Sequence, residues 1–334
     1  MKSGSHLEQV LNEGHFALTA EIGPPMDADG EVVRQKARKL AGYADAFNIT
    51  DNQTAVVRLS SIAAAVILLQ EGLEPVMQMT CRDRNRIAIQ SDILGASALG
   101  IKNCLCIAGD HQSASAAGRL KGHPGAKNVY DVDSIQLVSI LKKLRDEGLQ
   151  QGGDPVKKRP ALWIGAAWTP GAHPIEFRPI RLKKKVEAGA DFIQTQAVYD
   201  VELFRRAMEM AGELGVLERT AVLPGIIVPR SLVMMNYMNT TVPGVSIPEA
   251  LIQRMAGAKA AAAGDKARIK TLQEEEGIKI AVELIEQVRA IKGVRGVHLQ
   301  AIEWEDAIPE VVKRAKLFPR PKIGGSNGNG KPSI

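Results

Sequence analysis

Residues 75–110 read PVMQMTCRDRNRIAIQSDILGASALGIKNCLCIAGD, and this stretch decides the fold. Pro75 to Cys81 is an apolar run that ends in polar residues, Arg84 to Leu99 spaces its apolar residues by three and four, and Asn103 to Asp110 is a second run like the first. Strand, helix, strand in this order is the βα unit of a parallel sheet. The pattern recurs on both sides, with further strands expected at Phe16 to Glu21, Ala46 to Asp51, Leu162 to Trp168, Phe192 to Tyr199, Val222 to Val228 and Gly296 to Ile302. Helices are expected at Val32 to Gly42, Arg58 to Gln70, Ser134 to Glu147 and Leu203 to Leu214, with at least one helical stretch in every gap.

Eight strands over about 290 residues favour closure as a barrel over an open doubly wound sheet. No Gly-x-Gly-x-x-Gly follows the first strand, which removes the main argument for a dinucleotide-type open sheet. The expected fold is an α/β (β/α)8 TIM barrel over residues 15–317. An N-terminal extension at 1–14, a long loop at 111–133 after the fourth strand and a flexible tail at 318–334 complete it.

The chain has 334 residues, 43 Lys plus Arg against 37 Asp plus Glu, 45% hydrophobic and 24% charged residues, the values of an ordinary soluble protein. The net charge of +6 is spread out, with one tight run at 181–185 (RLKKK), and aromatics make up only 4%. Nucleic acid is therefore not an expected partner, and small anions are the better match for the charge. No apolar stretch is long enough for a membrane span and no secretory signal is evident, so a cytoplasmic location is expected. Cys81, Cys104 and Cys106 are too few for a disulfide framework and are expected to pack as small apolar residues. The histidines have no helical metal spacing, so no metal site is expected.

In a barrel, chemistry gathers where the strands end. Those ends carry Glu21 with Gly23, Pro24 and Pro25; Thr50 and Asp51; Gln78 and Thr80; Gly109, Asp110 and His111; Trp168 and His173; Gln194 and Gln196; and His298 with Gln300. Glu21 stands before a stiff Gly-Pro-Pro turn that would hold its carboxyl at the mouth as a general acid, against the plainer role of an ion-pair partner. Asp110 could accept ring N–H groups or oppose a developing cation, or be an ordinary turn aspartate. Strict alternation makes Gln194 and Gln196 face the same way, and two inward amides suit a flat heterocycle such as a pterin or flavin. The alternative is a self-satisfied buried network.

With these residues assembled, the chain resembles the methylenetetrahydrofolate reductase family, whose members are flavin-bearing eight-stranded barrels. The matching segments are TAEIGPP at 19–25, MTCRD at 79–83, CLCIAGD at 104–110, HP at 173–174, KKVEAGADFIQTQAVYD at 184–200, LPGIIVP at 223–229 and GVHLQAI at 296–302. The resemblance implies reduction of 5,10-methylenetetrahydrofolate to 5-methyltetrahydrofolate. Glu21 matches the family's general acid, Asp110 the acidic residue beside flavin and folate, and Gln196 the glutamine that binds the substrate, with Gln194 and Gln78 beside it. Flavin contacts are implied at Thr50, Gln78, Ala108, Gly109, Asp110, Trp168, His173, Arg181, Lys184 and Lys185.

The implied cofactor is FAD, with FMN or no flavin as alternatives, because Ala108 replaces a usual arginine and Gln78 a usual histidine. Trp168 stands near a usual tyrosine, and Arg178 and Arg181 where acidic and amide contacts are usual. NADH or NADPH is the implied donor, with an electron-donating partner protein as a further possibility, and a homo-oligomer is expected. Other readings on the same barrel are a flavin-free reductase, a tetrahydrofolate-binding methyl-transfer protein, or a subunit of a larger electron-transfer complex.

Overall fold

The computed structural model describes residues 1–112 and 122–323. Eight parallel strands close into a barrel in sequence order: β1 (Ala17–Ile22), β2 (Ala46–Ile49), β3 (Pro75–Thr80), β4 (Asn103–Ile107), β5 (Trp163–Trp168), β6 (Phe192–Ala197), β7 (Ala221–Ile227) and β8 (Gly296–Gln300). The seam is the β1–β8 pair, with Thr19 opposite His298. The TIM barrel expected from the βα alternation is the fold observed.

A helix α1 (His6–Asn12) precedes β1, and α2 (Gly30–Leu40), α3 (Ser61–Gln70), α4 (Arg86–Ala98), α5 (Ser134–Lys142), α6 (Phe177–Ala188) and α7 (Val201–Glu213) fill the first six crossovers. Short polar side chains start all of them but α6: Asn85 accepts from Ile87 N and Ala88 N at α4, and Asp133 forms a capping box with Gln136 at α5. The seventh crossover holds three helices, α8 (Leu232–Thr241), α9 (Glu249–Ala260) and the long α10 (Lys266–Arg289), before β8 and α11 (Ala307–Arg314).

Alternation along the strands divides the side chains between two cores. Leu18, Ala20, Phe47, Ile49, Met77, Met79, Ile164 and Ile193 point outward against the helices. Cys81, Cys104 and Cys106 join this layer as buried free thiols, and burial pushes the Cys81 thiol up to about 12. Inside the barrel, Ala17, Ala46, Val76, Leu105, Trp163, Phe192, Ala221 and Leu223 form a lower apolar layer.

Residues 1–14 close this layer from below. Leu7 and Val10 of α1 are fully buried in it, each burial stabilising the fold by roughly 1.5–3 kcal/mol. The Glu74 carboxylate accepts from Leu7 N at 2.9 Å and from His6 N, anchoring the helix start. Residues 318–323 also pack on this end: Arg320 pairs with Asp45 at 2.6 Å and Ile323 is buried in the lower core. The remainder of the expected tail, 324–334, and residues 113–121 of the long loop lie outside the described residues.

Two departures from regular strand geometry shape the upper end. β4 stops at Ile107, and Gly109 turns the chain at φ +87°. On β6 the register with β7 jumps from Gln194–Leu223 to Ala197–Gly225, a bulge that sets Thr195 and Gln196 against one residue of β7. Gly225 makes room for it, since a Cβ there would lie 2.5 Å from Thr195 O.

Candidate active site at the barrel mouth

Above the apolar layer the barrel interior is polar, and its side chains are joined. Asn48 on β2 donates through Nδ2 to Gln194 Oε1 at 2.6 Å, and Gln194 Nε2 donates back to Asn48 Oδ1 at 3.0 Å. Gln194 Nε2 also donates to Thr19 Oγ1 at 2.9 Å, and Thr19 Oγ1 meets His298 Nδ1 at 2.9 Å. The other ring nitrogen, Nε2, lies 3.8 Å from Glu21 Oε2. All but Glu21 are buried, so each polar group needs a partner inside the protein, and the chain of bonds supplies them.

Glu21 is the member that reaches the mouth, its side chain 14% exposed at the end of β1. The turn behind it is held from two helices' worth of neighbours: Lys36 of α2 donates to Gly23 O at 3.3 Å and pairs with Glu305 at 2.6 Å. Arg58, just before α3, donates to Pro24 O at 2.9 Å. A carboxyl group on a strand end, backed by a fixed turn, has the rigidity that proton transfer requires.

Gln194 and Gln196 differ in situation. Gln194 is buried with both amide hydrogens committed to Thr19 and Asn48, so it donates to a ligand only by giving up one of those bonds. Gln196, half-buried in the bulge, accepts from Ala197 N at 3.0 Å and lies nearer the open end. Gln78 is buried on β3 with the inward parity of Val76.

A second polar cluster occupies the ends of β2, β3 and β4. Asp51 accepts from Thr80 N at 2.9 Å and from Arg84 at 2.6 Å. Arg82 is buried; it pairs with Asp83 at 2.7 Å and donates to Asp110 O at 3.0 Å and Asn52 O at 3.1 Å. Burial is the largest single influence and raises the Asp83 pKa, but the bond and charge of Arg82, the Asn52 bond and the Arg84 charge together outweigh it and hold the carboxyl below its ordinary range. The exposed Asp110 carboxylate accepts from Thr54 N at 3.0 Å, in a turn where Asn52, Thr54 and Ala55 all have positive φ. Non-glycine residues so held cost free energy, and such turns are found where a loop serves a site.

Beside this cluster is a cavity of about 250 Å³ lined by Asn52, Val56, Arg82, Gln112, His123 and Asn128, among others. Gln112 Oε1 and Asn128 Oδ1 are buried there without a hydrogen-bond partner among the described residues; Thr50 Oγ1, at the end of β2 and outside the lining of this cavity, is likewise unpartnered. Two unmatched acceptors around a cavity of this size fit the N–H groups of a flat heterocycle such as a flavin.

The other expected cofactor residues fall in three situations. Ala108 is exposed at the mouth and Gly109 accepts from Tyr130 Oη at 3.0 Å. His173 and Lys184 are exposed and Arg181 is half-buried, on the β5–α6 side. Trp168 and Lys185 are buried: the Trp168 indole faces the helices and donates to Arg178 O at 3.0 Å, while Lys185 Nζ donates to Ala167 O. Burial first, and then Arg181, lower the Lys185 pKa to about 8.

Asn48, Arg82 and Arg84 were not among the expected site residues, and Asp51 was expected only as one of the polar strand ends. Their signal was present: AFNIT places Asn48 on the same strand face as Ala46 and Thr50, a polar residue mid-strand where a small apolar one would pack more cheaply.

Comparison with known proteins gives a consistent result. A family model described as methylenetetrahydrofolate reductase matches residues 6–316. The chain is 26% identical over 337 residues to methylenetetrahydrofolate reductase 2 of Schizosaccharomyces pombe, covering 95% of this chain and 48% of that one. It is 24% identical to methylenetetrahydrofolate reductase (NADH) 1 of Arabidopsis thaliana, covering 98% and 52%. The chain thus spans about half the length of the curated relatives it matches. Among solved structures, an uncharacterized protein from Clostridium thermocellum that binds two copies of 5-methyl-5,6,7,8-tetrahydrofolic acid superposes with a TM-score of 0.62. At 14% identity, over 93% of this chain and 100% of that one, it shares the fold.

Proposed function

This chain belongs to the methylenetetrahydrofolate reductase family, and from that membership we propose that it reduces 5,10-methylenetetrahydrofolate to 5-methyltetrahydrofolate with a flavin held at the barrel mouth. The observation that carries the reading is Glu21, a carboxyl group fixed at the open end of the barrel over a hydrogen-bonded polar floor. Glu21 in its acid form gives its proton to N10 of the folate as the bond from N10 to the bridging carbon breaks. The carboxylate is left behind, and the bridging carbon becomes the iminium carbon on N5.

The exposed carboxylate of Asp110 opposes that positive charge from the β4 side, held in place by Thr54 N. Gln196 binds the pterin edge, with Gln78 beside it and Gln194 in the polar floor beneath. The residues that would hold the flavin are Thr50, Gln78, Ala108, Gly109 and Asp110 around the isoalloxazine. His173, Arg181 and Lys184 take the phosphate side, with Trp168 and Lys185 packing behind. When bound, the flavin supplies the hydride that converts the iminium carbon to the methyl group.

FAD is the proposed form, with FMN as the alternative, and NADH, NADPH or a partner protein as the electron source. The proposed setting is the cytoplasm. The test is the visible spectrum of the purified protein, followed by anaerobic addition of NADH or NADPH and then methylenetetrahydrofolate. Bleaching by a nicotinamide and recovery with the folate are expected. A yellow protein that ignores both nicotinamides would assign the donor role to a partner. A colourless protein that resists reconstitution with FAD and FMN would overturn the flavin assignment in favour of a flavin-free or methyl-transfer barrel.

A further inference from the structure

The hydrogen bonds inside the barrel have a direction, and it ends at Glu21. Gln194 Nε2 carries two hydrogens, and two acceptors lie in reach: Asn48 Oδ1 at 3.0 Å and Thr19 Oγ1 at 2.9 Å. Gln194 Oε1 accepts in return from Asn48 Nδ2 at 2.6 Å. Thr19 Oγ1 therefore already accepts one bond, and its own proton is left for its other neighbour, His298 Nδ1 at 2.9 Å. A ring nitrogen that accepts is bare. The single proton of the neutral imidazole is then on Nε2, the atom facing Glu21 Oε2 at 3.8 Å.

Turning both amides over would reverse the chain. His298 Nδ1–H would donate to Thr19, Thr19 to Gln194, and the Nε2 lone pair would face a carboxylate oxygen in a site where both side chains are largely out of water. Two lone pairs opposed in low dielectric repel, so the first direction is the one that suits the carboxylate left once Glu21 has given up its proton.

We propose that the Asn48–Gln194 amide pair, acting through Thr19, fixes His298 as its Nε2–H tautomer so that it stands as a hydrogen-bond donor to Glu21. The separation of 3.8 Å is a contact and not yet a hydrogen bond. It closes as Glu21 loses its proton and becomes negative, so the interaction is stronger after proton release than before, the condition for lowering a barrier. His298, Thr19, Gln194 and Asn48 are positioning residues in this scheme; Glu21 alone meets the substrate. The catalytic part rests on the folate reaction proposed above, whereas the tautomer itself does not.

The experiment is nitrogen NMR of the protein labelled with 15N-histidine, with the His298 ring signals identified by their loss in His298→Gln. A neutral ring protonated at Nε2 and hydrogen-bonded at Nδ1 is expected in the wild type. Thr19→Val, which removes the hydroxyl at nearly constant volume, is expected to abolish that signature and to lower kcat for the folate by about tenfold with little change in KM. Thr19→Ser restores the hydroxyl and is expected to rescue both. A ring protonated at Nδ1 in the wild type, or a Thr19→Val protein whose His298 signals are unchanged, overturns the proposal. A wild-type protein with the expected tautomer and no activity on the folate would sink the reaction and leave the tautomer assignment standing.

Discussion

Glu21 and His298 face each other at 3.8 Å across the seam where the first and last strands close the barrel. The carboxyl group thus depends on closure for its setting: His298 is delivered by the last strand, after the three-helix crossover of α8, α9 and α10. Its other neighbour in the network, Thr19, is 279 residues away in the chain. An error in closure would leave the Glu21 carboxyl group without its partner.

Replacing Glu21 by Gln keeps the volume and removes the transferable proton. The expected loss is roughly 10²- to 10⁴-fold in the rate of the folate half-reaction, with bound flavin and thermal midpoint close to wild type. Single-turnover kinetics with methylenetetrahydrofolate measures it, and a rate within a few-fold of wild type would remove Glu21 from the acid role.

Gly109→Ala tests the turn that ends β4. The backbone there is at φ +87°, and a Cβ would lie 3.0 Å from Thr80 Cβ and 3.1 Å from Arg82 Cβ. Strain at positive φ alone is about 1–2 kcal/mol, and the close contacts add to it. Urea unfolding should show a destabilisation of that order or more, and an unchanged midpoint would mean that the turn relaxes freely.

Lys185 gives a pH signature. Its folded pKa lies at about 8 against an ordinary 10.5, mainly through burial. Between these values the unfolded chain still binds a proton that the folded chain has released, so stability rises with pH through this window, and the cost of burying the ammonium is fully felt below it. The stability of wild type minus that of Lys185→Met should rise by ~3 kcal/mol between pH 7 and pH 10.5. Alkaline effects common to both proteins, such as thiol ionisation, cancel in the difference. A flat difference would place the ammonium in contact with water.

Leu7→Ala tests α1 as the floor of the barrel. Leu7 is fully buried among Ala17, Val76, Leu105 and the other residues of the lower layer, and a cavity there should cost 2–5 kcal/mol. Denaturant unfolding reads it. A cost below about 1 kcal/mol would make residues 1–14 an appendage and not part of the core.

The barrel was legible because its signal is local: eight apolar runs alternate with helical spacing, and the count and order of strands need no long-range information. Parity along a strand was legible as well. In WIGAAW, Trp163 faces inward and Trp168 therefore faces the helices, which the alternation alone dictates. The bulge on β6 was not. Thr195 and Gln196 become opposed to one residue of β7 only because Gly225 sits beside them, and no pattern within FIQTQA announces it. That is why the two glutamines, equivalent by alternation, end in different situations.

What the sequence by itself determined is which residues arrive at the strand ends, since period and strand order decide that. Only the tertiary structure decided which of them meet. Asn48, Gln194, Thr19, His298 and Glu21 come from four strands, and closure brings them within hydrogen-bond range or near it. The direction of those bonds is in turn a property of the whole set, because each donor's choice depends on what its neighbour has already accepted. Hydrogen bonding of this kind is settled by distances between strands, and a linear sequence contains no distances.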